Sequence, residues 1–142
     1  MLTQQLQRLS YLCEIIPSLL SSIDEEQFSE KPQPSKWSKK EILGHLIDSA
    51  TNNHQRFIRT QNEDGLMFYY DQNQWNNLSF YNERDKAELI EFWRLYNKHL
   101  LEIVKHISPE NLAKKCNDHT LEWIFIDYVE HLEHHLKQLV TY

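Results

Sequence analysis

Apolar positions recur at helical spacing in four stretches of the chain. In residues 3–22, Leu6, Leu9, Cys13, Ile16 and Leu20 mark one buried stripe. Pro17 interrupts the hydrogen-bond ladder there, which predicts a kink over residues 13–17. The second stretch opens on a capping box, Ser38-Lys39-Lys40-Glu41. In such a box the serine hydroxyl accepts from the glutamate amide and the glutamate reaches back. It runs to about Gln61, with Ile42, Leu43, Leu46, Ala50, Asn53 and Phe57 inward. A third helix is predicted over residues 83–106, its inner side formed by Leu89, Trp93, Tyr96, Leu100, Ile103 and Ile107. Ser108-Pro109-Glu110 opens a short helical turn, serine as N-cap and proline at the first position. Thr120 caps the last helix, which carries Phe125, Tyr128, Val129, Leu132, Leu136 and Leu139 on one face and continues to the end.

The pattern breaks twice. Residues 24–37 are polar, contain Pro32 and Pro34, and read as a loop. Residues 63–82 have no helical period, yet hold Gly65, Phe68, Tyr69, Tyr70, Trp75, Phe80 and Tyr81 among Asp, Asn and Gln. A connection of that length in a compact domain reads as a lid or binding loop, and its aromatics argue that it is packed. Four amphipathic helices predict an all-α fold: one four-helix-bundle domain over residues 1–142, with a long crossover loop between helices 2 and 3.

Composition narrows the function classes. Two glycines and four prolines are few for a chain rich in β-turns. The net charge of −6 excludes nucleic acid as a partner, since phosphate binding needs a basic face. Lys36, Lys39 and Lys40 form the one basic cluster, and as a helix opening it reads as a solvated end. No apolar run approaches the ~20 residues that cross a bilayer, so no membrane span is expected. The N-terminus lacks the basic-then-apolar pattern of a signal peptide, and a cytoplasmic location is expected. Cys13 and Cys116 are far apart without CxxC spacing and read as reduced thiols.

The candidate chemistry lies in the histidines. Taking Leu132 as the centre of the last helix's apolar stripe, a turn of about 100° per residue puts His135 about 60° away and His131 about 100° away, on the same side. His134 falls about 160° away, facing water. His131 and His135 are thus an i, i+4 pair at the edge of the core, a spacing that can hold one metal ion. On the second helix His45 occupies the same border position relative to Leu46, and is the candidate third ligand. Ser49, Asn52 and Arg56 share its side. Asn52 and Arg56 are candidates for substrate binding or catalysis, and Asp127, one turn before His131, for orienting that imidazole. Asp48 falls towards solvent on the same wheel. Gly44 inside a helix suggests close approach of another helix. His54 and His99 read as satisfied core histidines; His106, His119 and His134 read as solvated.

Two stretches carry a family resemblance. Residues 37–49, Trp-Ser-Lys-Lys-Glu-Ile-Leu-Gly-His-Leu-Ile-Asp-Ser, resemble the second helix of the DinB/YfiT-like superfamily, and residues 128–139 resemble its last helix. Tyr70-Asp71-Gln72-Asn73-Gln74-Trp75 is similar to a loop motif of one branch, making Tyr70 and Trp75 substrate-binding candidates. The resemblance implies a four-helix bundle with a divalent metal held by residues matching His45, His131 and His135. It further implies a metal-dependent enzyme acting on a small molecule. A transferase using a low-molecular-weight thiol as co-substrate is the leading expectation. The alternatives are a metal-dependent hydrolase, or a bundle that binds metal or a partner without catalysis. A homodimer is also implied, its contact sought at the aromatic-rich loop and Gly44. A nitrogen-rich site accepts zinc, nickel, copper, iron or manganese according to availability.

Overall fold

A computed structural model describes residues 1–142. Its helices are α1 (Leu2–Ser21), α2 (Glu25–Ser29), α3 (Lys39–Arg59), α4 (Gln72–Ser79), α5 (Lys86–Lys105), α6 (Pro109–Leu112) and α7 (Leu121–Leu139). A 3-10 turn spans Tyr81–Glu83, and β1 (Lys115–Cys116) and β2 (His119–Thr120) form a small antiparallel hairpin. α1, α3, α5 and α7 are the four long helices of the bundle, and 28 buried apolar residues from them and their connections form one core cluster. No helix is long and apolar enough to cross a membrane.

Round the bundle, α1 packs on α5 and α7, and α3 packs on the same two helices. The diagonals are therefore α1 to α3 and α5 to α7, so each of the pairs joined by α2 and by the hairpin sits across the core rather than side by side. α3 and α5 are neighbours and run parallel: Lys40 Nζ meets the Arg84 carbonyl at one end, and His54 meets Tyr96 further along. α3 and α7 run antiparallel, with Phe57 against Phe125 and His45 against His135.

The capping signals act as the sequence predicts. Ser38 and Glu41 make both bonds of the capping box, and Thr120 Oγ1 accepts from the Trp123 amide. α1 continues through Pro17 as a single helix. Both supposed loops, however, contain helix. α2 is capped by Asp24 and buries one large side chain, Phe28, too little to register as a period. α4 is capped by Asp71, which accepts from the amides of Asn73 and Gln74. Its buried residue is Asn76, whose amide donates to the Glu41 carbonyl, so a helix held by a polar contact shows no apolar stripe. α5 starts later than its pattern suggested, because Asp85 caps it and Glu83 belongs to the 3-10 turn.

Three single-residue expectations also give way. Lys40 is buried, not solvated, and its Nζ is held by Glu25 and the Arg84 carbonyl. Asp48 is 2% exposed and accepts from the Tyr81 hydroxyl, because the 3-10 turn covers that face of α3. Gly44 is covered by the Tyr81 ring, not by another helix; a Cβ there would overlap the ring. Phe80, in the left-handed region at φ 54°, turns the chain so that Tyr81 reaches this spot. A non-glycine residue held there costs roughly 1–2 kcal/mol.

Candidate metal centre

Antiparallel packing of α3 against α7 brings the three predicted histidines together. His45 is 1% exposed, and His131 and His135 are half-buried. The Nε2 atoms of His45 and His131 are 3.4 Å apart, and ligand nitrogens of all three residues lie within 4.8 Å of one another. Three donors at ~2.1 Å from one tetrahedral ion stand ~3.4 Å apart. The His45–His131 pair already has that spacing, and the ring of His135 lies 4.8 Å from that of His45, centroid to centroid.

Burial sets the charge state of the cluster. Desolvation, and then the neighbouring His131 and His135, push the His45 pKa down to about 4. His131 is lowered too, chiefly by burial and by His135, against an opposing pull from Asp127. At neutral pH these rings are uncharged and offer lone pairs, the form a metal needs. His135 Nδ1 lies 2.9 Å from Gln138 Oε1, so Nδ1 carries the proton and Nε2 is left free to bind. His45 Nδ1 is buried with no partner, and the ring is instead flanked by Trp37, centroid to centroid 5.0 Å. Three imidazoles with converging ring nitrogens fit a divalent ion.

His134 is exposed, as the helical wheel requires. Asp127 is exposed, makes no hydrogen bond to His131, and acts on it through charge alone. His54 is half-buried and bonds the Tyr96 hydroxyl through Nδ1 at 2.9 Å, whereas His99 is exposed against the edge of His54 rather than in the core. Cys13 and Cys116 are free and buried.

A cavity of about 210 Å³ adjoins His131. α3 lines it with Ser49, Asn53 and Arg56, and α7 with Trp123, Asp127 and Tyr128. Asn52 is not among its walls: that residue is buried and its amide bonds back to the Asp48 carbonyl. The helical step from Ser49 to Asn53, not to Asn52, follows the cavity, so the apolar stripe assigned to Asn53 is really the wall of a polar hollow. Tyr70 also lines it, its hydroxyl pKa raised by burial, while Trp75 packs edge-on against Tyr70 at 5.9 Å and is not part of the cavity wall.

The hairpin closes the far side. Asn117 and Asp118, at φ 52° and 66°, form its two-residue turn with both residues left-handed, as a type I′ turn requires. Asn117 then clamps the 66–70 segment over the cavity: its Oδ1 accepts from the Phe68 amide and its Nδ2 donates to the Phe68 carbonyl, each at 2.8 Å. His119 is exposed, as expected, and its ring stacks on Trp123 at 3.7 Å at the cavity rim. These hairpin residues carried one readable signal, the Asn-Asp pair. A second hollow of about 510 Å³ lies on the His135 side, with Trp37, Asn73 and Gln138 in its walls.

Known proteins share this fold. The profile of the DinB superfamily matches residues 8–139. The fold is similar to that of YfiT from Bacillus subtilis, described as a probable metal-dependent hydrolase with an unusual four-helix bundle topology. The TM-score is 0.80 at 19% identity, over 96% of this chain and 84% of that one. No curated protein matches the sequence.

Proposed function

This chain belongs to the DinB superfamily, and we propose that it is a metal-dependent hydrolase of small molecules, with His45, His131 and His135 as the ligands. The convergence of three imidazoles beside a cavity carries this reading. A divalent ion held there supplies Lewis acidity and makes a water or thiol nucleophilic at neutral pH. Three protein ligands leave room for such a group, as in catalytic rather than structural sites. Asp127 at the cavity rim is the carboxylate available to take a proton, and Asn53 and Tyr70 offer polar groups that orient a substrate. The donor set accepts zinc, nickel, manganese or iron.

Thiol transfer is the second reading. The hollow on the His135 side favours it, since a transferase needs space for two substrates at one centre. Metal-loaded protein assayed on ester and amide panels, with and without low-molecular-weight thiols, separates the two. Turnover without thiol supports the hydrolase, and thiol-dependent adduct formation supports the transferase. Metal binding with no turnover in either panel leaves a non-catalytic bundle. The proposed assembly is a homodimer, for which exposed Phe92 and Leu95 on α5 offer an apolar face. Light scattering that gives a monomer throughout the micromolar range rejects it.

A further inference from the structure

Arg56 is a guanidinium without a carboxylate. It takes part in none of the ion pairs of the protein. Its Nη2 donates to the Phe68 carbonyl at 2.9 Å and its Nη1 to Asn53 Oδ1 at 3.2 Å. Its Nε is shielded from solvent and has no partner. The Phe68 ring lies 5.6 Å from the guanidinium, and Asn117 fixes the Phe68 backbone from the other side. The fork is therefore held in place by neutral oxygens while its charge stays uncompensated. A guanidinium keeps that charge at every physiological pH and matches a carboxylate with two parallel bonds.

The cavity that Arg56 lines also reaches His131. Arg56 follows His45 on α3, and its side chain leans back towards the helix N-terminus, where Asn53 lies. The intervening rise puts the guanidinium roughly 12–16 Å along the helix from the histidine cluster. About four extended residues span that distance. Asp127, which is exposed, is the one acid in the lining, and Arg56 makes no ion pair with it.

We propose that Arg56 anchors a carboxylate at one end of the substrate, whose reactive group sits at the histidine triad. The substrate class is thus an elongated organic acid about the length of a short peptide. The proposal rests on reading the triad as the metal centre, and it adds which charge the substrate bears and where.

The test compares 8-mercaptooctanoate with 8-mercaptooctan-1-ol, the same thiol with and without the carboxylate. Each is titrated calorimetrically into the protein with and without zinc. The wild type should bind the acid about tenfold more tightly than the alcohol, as expected for hydrogen bonds to a charged group. Arg56→Gln should bring the two to within about twofold, and Arg56→Lys should keep part of the preference. Equal affinities in the wild type, no binding of either thiol, or a preference that survives Arg56→Gln would overturn the proposal. The wild-type contrast decides the matter even if the variants fold poorly. Failure of zinc to tighten either thiol counts against the metal reading alone, and the acid-over-alcohol ratio still judges Arg56.

Discussion

The Nε2 atoms of His45 and His131 lie 3.4 Å apart although 86 positions separate them in the sequence. Helix packing sets them at the spacing of two ligands on one metal. His135→Ala should therefore lower affinity for zinc or nickel by orders of magnitude, while His134→Ala, exposed on the next position, should leave it nearly unchanged. Asp127→Asn should change it by less than the 10–100-fold typical of a hydrogen-bonded carboxylate, because Asp127 touches His131 only through charge. Competition titrations with a chelating dye give the three constants, and equal losses at 134 and 135 would refute the site.

Asp48 should make the protein less stable as pH rises. Burial raises its pKa to about 6 from the ordinary 3.8, against the pull of the Tyr81 hydroxyl and Arg84. The folded state thus binds more protons than the unfolded state between those values. Its contribution is fully present below about pH 4 and lost as pH rises through 6. The shift corresponds to about 3 kcal/mol. Asp48→Asn keeps an acceptor for Tyr81 without the charge, so it should be more stable than wild type at pH 7 by up to about that amount. The gain should vanish near pH 4. Urea midpoints measured at both pH values check this, and a gain independent of pH would show that the charge is not the cause.

Gly44→Ala should destabilise the fold by about 1–3 kcal/mol, the usual cost of overpacking. The new methyl group meets the Tyr81 ring, and the ring cannot shift without breaking its bond to Asp48. Tyr81→Ala should remove the penalty, so the double variant should show no further loss from alanine at 44. Additive losses in a denaturation series would contradict this contact.

Asn117→Ala should release the 66–70 segment. It removes two hydrogen bonds to the Phe68 backbone, each worth about 1 kcal/mol, and places alanine at a left-handed φ. Hydrogen exchange at the Phe68 amide should speed up far more than exchange in the core of α7. A uniform change across the chain would mean that the clamp is not local.

The phase of a helix is written in its own residues, and this decided much of the site in advance. The i, i+4 spacing of His131 and His135 puts both on one edge of α7 and sends His134 outward, whatever packs against them. Ser38, Glu41 and Thr120 announce helix starts because a cap is a bond between residues a turn apart. A wheel gives direction about one axis only, though, and cannot say which neighbour covers a given face. The pairing of α3 with α7, which joins His45 to the other two histidines, arises from the order of helices round the bundle. Asp48 and Lys40 look solvated on the wheel because Tyr81, Glu25 and Arg84 reach them from segments that have no period of their own. α2 and α4 escaped notice for the same reason: short helices held by a cap and one buried side chain repeat nothing. Asn53 rather than Asn52 lines the cavity because the hairpin and the 66–70 segment enclose a hollow there, and only the assembled fold sets where water is excluded.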